Sequence, residues 1–190
     1  MDSVECTKQK IRAIIAGSEV PEDPLHAENT LTWLVKLKPE SDKTLQVAAL
    51  GHDIERALEI RKVKRGDFPD YDAFKVAHAR NSAEILREIM EDCGMSQEKA
   101  NEVCLLVCRH ETGGDPRSDL IKNADGISYF HVNMPLYYQR EGREETKRRC
   151  IWGYGRLSAQ AKRIVENIAY TDEKLTKLLR EAIQAAHSKD

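Results

Sequence analysis

The sequence lacks the features that mark membrane proteins, secreted proteins and nucleic-acid-binding proteins. Its longest apolar runs, such as residues 103–108, are only a few residues long and too short for a transmembrane helix. The first five residues carry acidic side chains where a signal peptide has a basic stretch followed by an apolar one. A formal net charge of -2 gives no field strong enough to attract nucleic acid. These absences predict a cytoplasmic protein that binds neither membranes nor nucleic acid.

Cysteine pairs of the CxxC type, internal repeats and low-complexity segments are also missing. The five cysteines are an odd number, so they cannot all pair within the chain. Cys104 and Cys108 lie one helical turn apart among apolar residues. We interpret them as small buried residues of a core helix, with a redox or metal-binding pair as the alternative. No alternation of apolar and polar residues is long enough to predict a strand.

The chain does contain a succession of amphipathic segments, which predicts an all-α fold. Its 190 residues, 41% of them hydrophobic and 33% charged, are typical of a soluble globular protein with a sizeable core. Apolar spacing, capping residues and helix-ending glycines predict these helices. They cover about residues 3–16, 23–39, 41–54, 72–92, 96–109 and 116–130, with two more between 158 and 187.

Three segments are predicted to lie outside regular helices. Residues 60–71 are basic and then turn-like, so they form either a solvated connector or a loop beside a site. Residues 131–142 are predicted to be a loop, and residues 152–155 interrupt the helical pattern. We interpret the chain as a single domain with a motif core, about residues 20–130, and a helical extension, about residues 131–190. The extension either completes the core or covers a cleft.

Residues 50–54 contain the most informative chemistry of the chain. His52 and Asp53 follow one another at the end of an apolar helix, where polar side chains are costly to bury without partners. Four more candidate metal ligands are spread around this pair, namely His26, His78, His110 and Asp125. The two remaining histidines, His131 in a predicted loop and His187 at the tail, have no such context.

Four imidazoles and two carboxylates form a mixed nitrogen and oxygen set. Such a set suits a divalent transition metal better than Ca²⁺ or Mg²⁺. We expect two ions, which are Fe, Mn, Co or Ni, with Zn or Mg as alternatives. Asp53 is predicted to bridge them. The first ion is assigned to His26, His52, Asp53 and Asp125, and the second, with more open positions, to Asp53, His78 and His110.

A dinuclear site of this kind predicts hydrolysis of a small phosphorylated substrate. Two metal ions about 3.5 to 4 Å apart can hold a bridging hydroxide as the nucleophile and bind phosphate oxygens. In this interpretation Asp53 is the central catalytic residue, and cationic side chains bind the remaining phosphate charge. Four cations lie near the ligands in sequence, and we expect one or two of them to reach the substrate. They are Arg56, Arg80, Arg109 and Lys122.

The order of the six ligands resembles the HD-domain superfamily of metal-dependent hydrolases over about residues 20–130. The resemblance implies a helical bundle in which the motif residues are metal ligands. By this resemblance, the ligands shared across the superfamily correspond to His26, His52, Asp53 and Asp125. The extra pair of ligands in its dinuclear branch corresponds to His78 and His110.

The sequence departs from known branches of that superfamily in three respects. Arg56 stands where the cyclic-dinucleotide phosphodiesterase branch usually has a lysine, and the Gly-Tyr-Pro signature of that branch is missing. Asp125 follows His110 more closely than in the oxygenase branch. The resemblance therefore leaves the substrate open.

Three functions are compatible with this ligand set. The first is a phosphohydrolase that acts on a nucleotide or another small phosphoester through a metal-bound hydroxide. The second is a mixed-valence di-iron oxygenase, because the ligands alone do not separate hydrolysis from oxygen chemistry. The third is a regulatory or binding module that keeps the metal and nucleotide pocket without turnover.

Overall fold

The computed structural model describes residues 2–188 and confirms the all-α fold class. The described helices are α1 (Ser3–Ile15), α2 (Glu22–Leu37), α3 (Lys43–Gly51), α4 (Tyr71–Asp92), α5 (Gln97–Arg109), α6 (Pro116–Ser128), α7 (Met134–Gly155), α8 (Ala159–Glu166) and α9 (Glu173–His187). Two 3₁₀ turns, Ile54–Ala57 and Arg65–Asp67, follow α3, and a π-helical turn, Tyr129–Asn133, joins α6 to α7. Within residues 2–188 there is no strand, and no helix is long and apolar enough to cross a membrane.

Helix α3 lies at the centre of the fold because it is apolar on nearly all sides. Leu45, Val47 and Leu50 are each at most 1% exposed. Gly51 allows α4 to approach closely, since a Cβ at this position would lie 2.6 Å from Cδ2 of Leu86. The residues that directly follow Gly51 therefore lie in the protein interior.

Two hydrophobic clusters hold the helices together. Helices α1 to α6 form the first cluster, and the π-helical turn with α7 to α9 forms most of the second. Trp33 and Leu37 of α2 pack against both clusters. The predicted extension is thus joined to the motif core by apolar packing along α2.

The prediction of a loop over residues 131–142 is wrong, because this segment is helical. Pro135 lies in the first turn of α7, where a missing backbone N–H leaves no helical hydrogen bond unmade. Gly142 has a φ of 78°, so it kinks α7 without ending it. Residues 152–155, which were predicted to interrupt the helical pattern, form the last turn of α7.

The cysteines divide into one disulfide and free thiols. Cys6 of α1 is bonded to Cys93, which ends α4. Cys104 is buried in the first cluster and Cys108 packs against it, both as free thiols. The interpretation of this pair as buried residues of a core helix is confirmed for Cys104, whereas Cys108 is only partly buried.

Asp115 caps α6, the helix that carries one of the candidate ligands. Its carboxylate accepts hydrogen bonds from the Ser118 hydroxyl and from the backbone N–H groups of Ser118 and Arg117, which lower the pKa of Asp115 to about 2. We expect Asp115→Ala to lower the free energy of unfolding by about 1 kcal/mol at neutral pH. Because the pKa is depressed in the folded state, this difference is present above about pH 4 and narrows as the pH falls toward 2.

Chemical denaturation of the parent and the Asp115→Ala variant at pH 7 and pH 3 measures this effect. Asp115→Asn is the matched control, because it keeps an acceptor at the cap but has no charge to titrate. A destabilisation by Asp115→Ala that is equal at the two pH values would contradict the assignment.

Candidate metal centre

The six predicted ligands lie close together in space, on or directly after helices α2 to α6. The residues are His26 in the first turns of α2, His52 and Asp53 after α3, His78 in α4, His110 after α5 and Asp125 in α6. Each of these four histidines is at most 3% exposed. The structure therefore brings together all six residues that the sequence predicts.

Helices α3 and α5 end in the same way, with a histidine followed by an acidic residue. His52 and His110 are the C-terminal caps of the two helices. The Nδ1 atom of each donates to the backbone carbonyl three residues earlier, at 2.9 Å and 2.7 Å respectively. Because a carbonyl oxygen only accepts, Nδ1 carries the proton and Nε2 is left with a free lone pair.

The other two histidines are oriented by side chains. Nδ1 of His26 lies 2.9 Å from Oγ of Ser128, whose hydroxyl itself donates to the backbone carbonyl of His26. Nδ1 of His78 lies 2.7 Å from Oε1 of Glu55. Each ring thus donates from Nδ1 and presents Nε2, the arrangement found around metal-ligating histidines.

Asp53 lies among all four of these Nε2 atoms. Its Oδ1 is 2.7 Å from Nε2 of His78, 3.6 Å from that of His110 and 3.7 Å from that of His52. Its Oδ2 is 3.9 Å from Nε2 of His26. The two carboxylate oxygens therefore face different histidines, as a bridging carboxylate does.

Two further carboxylates complete the cluster. Oδ1 of Asp125 is 3.1 Å from Nε2 of His26 and 3.6 Å from Nε2 of His52. Oε1 of Glu111 is 3.2 Å from Nε2 of His110. Each carboxylate lies beside a different part of the cluster, so the site has two halves.

The donor set fits divalent metal ions. Nε2 of His52 and Nε2 of His110 are buried without a hydrogen-bond partner, which costs about 1–3 kcal/mol for each atom. Their neighbours are carboxylate oxygens, so lone pairs face lone pairs unless a proton or a cation lies between them. Ligand atoms at about 2.1 Å from one ion stand about 3.0–3.4 Å apart, close to the separations in this cluster. Two groups could each hold a metal ion: His26, His52 and Asp125, and Asp53, His78, His110 and Glu111.

The electrostatics of the cluster follow from burial and from close opposite charges. Burial raises the pKa of Asp53, but the neighbouring His52 and His78 outweigh it and hold that pKa well below its usual range. Burial lowers the pKa of His110, whereas Glu111 and Asp53 raise it to about 10. Protons and metal ions therefore compete for the same lone pairs.

Sequence reasoning misses Glu111, although it directly follows His110. The recurrence of an acidic residue after a helix-ending histidine is the signal that identifies it. Nζ of Lys75 contacts Oε1 of Glu111, and the guanidinium of Arg156 donates to Oε2 at 2.8 Å. Burial raises the pKa of Glu111, but Lys75 and His110 lower it below its usual range. The carboxylate is thus held ionised beside the cluster.

Four of the candidate ligands form the floor of a cleft with a volume of about 520 Å³, namely His26, Asp53, His78 and Asp125. One wall is the start of α4, with Tyr71, Phe74 and Lys75. The opposite wall belongs to α7, with Arg149 and Trp152. The predicted extension therefore supplies one side of the cleft.

Arg56 lines the cleft, as expected from its position one turn after His52. Its guanidinium donates to Oδ2 of Asp53 at 3.5 Å and lies 2.9 Å from Oδ1 of Asp23. Arg56 is thus already paired with carboxylates, and its first effect is to fix the orientation of Asp53.

The other predicted cations do not line the cleft. Arg80 is exposed, because two residues after His78 correspond to a rotation of about 200° around the helix. Arg109 is also exposed. Lys122 lies 3.0 Å from Oδ1 of Asp119 on its own helix. The expectation that Arg80 takes part in catalysis is therefore not supported by its exposed position. Lys122 lines a small pocket that Asp125 also lines, and its role stays a prediction.

Glu55 connects the cluster to the loop over residues 60–71. Besides His78 Nδ1, its carboxylate accepts hydrogen bonds from the backbone N–H of Val63 at 2.8 Å and from the side-chain amide of Asn81 at 3.0 Å. Lys62 and Val63 of this loop line the cleft. The loop lies beside the site, which is one of the two alternatives that the sequence leaves open.

We expect Glu55→Ala to weaken metal binding about 10–100-fold, because the ring of His78 loses the group that fixes its orientation. Competition titration of metal-free protein with a chromophoric chelator measures the affinity. Glu59→Ala is the matched control, since Glu59 is a half-exposed neighbour paired with Lys62. Equal affinities for the parent and Glu55→Ala would show that Glu55 does not support a ligand.

Residues 6–179 match a family model described as a domain of unknown function, DUF4202. The match includes all the candidate ligands and both walls of the cleft. No curated protein and no solved structure shows significant similarity to the chain.

Proposed function

The chain belongs to the DUF4202 family, a domain of unknown function, and we propose from its site that it is a metal-dependent phosphohydrolase of the HD-domain type. The proposed substrate is a nucleotide or another small phosphoester. The observation that carries the proposal is the convergence of four Nε2 lone pairs and three carboxylates in a cluster, part of which lines a cleft that also bears cations. Metal ions bound to the cluster, together with cations of the cleft such as Lys75, would balance the negative charge of a phosphoester.

Two divalent ions, when bound, would lower the pKa of a water molecule and neutralise phosphoryl oxygens. The mixed imidazole and carboxylate set suits Fe, Mn, Co or Ni, with Zn or Mg as alternatives. Asp53 would bridge the two groups, because its oxygens face His78 and His26. Arg56 would keep Asp53 in this orientation through its contacts with Asp53 and Asp23.

Among the cations of the cleft, Lys75 directly contacts a candidate ligand of the cluster, Glu111. Its ammonium group pairs with Glu111, which itself lies beside His110. Burial lowers the pKa of Lys75, but Glu111 and Asp53 raise it above its usual value. Lys75 therefore stays charged at neutral pH and would bind phosphoryl oxygens, while the rings of Tyr71 and Phe74 on the same wall would contact the organic part of the substrate.

A hydrolysis assay on metal-loaded protein tests the proposal. Metal-free protein is reconstituted with Mn²⁺, Co²⁺, Fe²⁺ or Mg²⁺ and given phosphomonoesters, nucleotides and cyclic nucleotides. We expect cleavage of at least one class of phosphoester with at least one metal, and loss of that activity in chelator. Absence of cleavage across the whole panel, in protein shown to hold two ions, would contradict the proposal.

A further inference from the structure

Arg149 of α7 is a largely enclosed cation at the cleft. Three aromatic rings surround its guanidinium, with centroids at 4.3 Å for Trp152, 5.1 Å for Tyr129 and 5.9 Å for Tyr71. Its NH1 atom is buried and has no hydrogen-bond partner. Aromatic faces stabilise the positive charge but do not satisfy the five N–H donors of a guanidinium. Within residues 2–188, the guanidinium of Arg149 donates no hydrogen bond to another protein group.

Arg149 differs in this respect from the other cations of the cleft. Each of the others has a carboxylate at 3.0 Å or less; they are Arg56, Lys62, Lys75, Arg140 and Arg148. Within residues 2–188, no carboxylate lies at ion-pairing distance from Arg149. An enclosed charge without an ion partner is costly, so a ligand anion is the group that would satisfy it.

The rings that surround Arg149 come from three parts of the fold. Trp152 lies on α7 with Arg149, Tyr129 follows α6, and Tyr71 belongs to the opposite wall and meets Trp152 edge to face at 5.4 Å. Trp152 also contacts the guanidinium of Arg156 at 4.2 Å, and Arg156 in turn holds a carboxylate of the candidate metal centre. The guanidinium of Arg149 is thus fixed in position relative to the cluster.

We propose that Arg149 and its three rings form an oxyanion-binding subsite, which takes a phosphoryl or carboxylate group of the ligand without using the metal ligands. The planar guanidinium presents two parallel N–H donors that match both kinds of oxyanion. The inference rests on the proposed function in taking the cleft as the substrate site, and it gives the substrate an anionic contact with the protein itself.

Trp152 provides the readout for this subsite. The chain has two tryptophans, so a Trp33→Phe background leaves Trp152 as the only tryptophan against the guanidinium. The metal-free protein is titrated in chelator with inorganic phosphate and, separately, with malonate, and sodium chloride at the same ionic strength is the blank. We expect a saturable change in Trp152 emission with phosphate, malonate or both. Saturation by phosphate alone identifies a phosphoryl site, and saturation by malonate alone a carboxylate site.

Substitutions at Arg149 and at a second arginine of α7 outside the cleft test the assignment. We expect Arg149→Gln to weaken anion affinity at least about tenfold, because it removes both the charge and the two parallel N–H donors of the guanidinium. Arg143→Gln is the matched control, since Arg143 lies on the same helix outside the cleft and is paired with Glu144 and Glu181, and it should respond as the parent does. Arg149→Lys keeps the charge but loses the two parallel N–H donors, so it should weaken anion binding by about threefold or more. This variant replaces Arg149→Gln in the test if Arg149→Gln does not fold.

The absence of a saturable response in the parent, or a response that Arg149→Gln and Arg149→Lys leave unchanged, would overturn the proposal. The titration needs neither metal nor turnover. A protein that binds the anion through Arg149 but hydrolyses nothing would refute only the phosphohydrolase assignment. A protein that hydrolyses phosphoesters but whose anion response does not depend on Arg149 would refute only the subsite.

Discussion

Asp53→Asn is expected to lower kcat/KM for the metal-dependent hydrolysis by at least about 10³-fold, since the several kcal/mol that bound metal ions contribute correspond to a factor of this size. Asp53 has an oxygen 2.7 Å from Nε2 of His78 and 3.6–3.7 Å from those of His52 and His110. Asparagine has nearly the same shape but carries no charge, so it is a poor bridge between two cations. The loss should appear in kcat and in the number of metal ions per chain.

Steady-state kinetics and elemental analysis of the same preparations measure these two effects. Asp92→Asn is the matched control, because Asp92 is exposed at the end of α4, outside the ligand groups, and is paired with Lys10. It should leave both quantities unchanged. If Asp53→Asn keeps kcat/KM within about tenfold of the parent, the barrier changes by only about 1.4 kcal/mol. This result would contradict the role of Asp53 as the bridging ligand.

Removal of metal by a chelator is expected to lower the Tm by about 5–10 °C for each ion lost. An ion that binds only the folded state stabilises it by about 2.7 kcal/mol at a free concentration of 100 times its Kd. In a chain of this length, 1 kcal/mol corresponds to a shift of about 2–4 °C. The structural reason is that His52 and His110 bury Nε2 atoms without partners, and one ion in each ligand group would satisfy one of these atoms.

Thermal melting of metal-free protein, with and without added Mn²⁺ or Co²⁺, measures this shift. His52→Ala should abolish most of the response to metal, because His52 contributes a buried ligand. His131→Ala and His187→Ala are the matched controls, since both histidines lie outside the two ligand groups. A Tm that does not respond to metal in the parent would contradict the assignment of these groups.

The positions of the six predicted ligands could be inferred from the sequence because each signal is local. His52 and Asp53 end an apolar helix, and the sequence places His26, His78 and Asp125 on neighbouring amphipathic helices. Helices that bury their apolar faces against one another also bring such polar residues together. The all-α fold was predicted on the same grounds.

Other parts of the site depend on contacts between distant segments, which one sequence does not reveal. Pro135 and Gly142 suggested a loop, but tertiary packing keeps this region helical and places α7 along the cleft. Arg149 lies in a charged stretch without periodicity, and its environment is created by rings from three separate elements. Distance along the chain alone predicts Arg80 near the substrate, whereas the turn of the helix makes it point outward.

The number of metal ions per chain tests the central claim most directly. Parent protein and His78→Ala are purified without oxygen, reconstituted, desalted and analysed by inductively coupled plasma mass spectrometry. His78 belongs to only one of the two ligand groups. A dinuclear centre predicts about two ions per chain in the parent and about one in His78→Ala. One ion or fewer in the parent, unchanged by His78→Ala, would contradict the dinuclear centre.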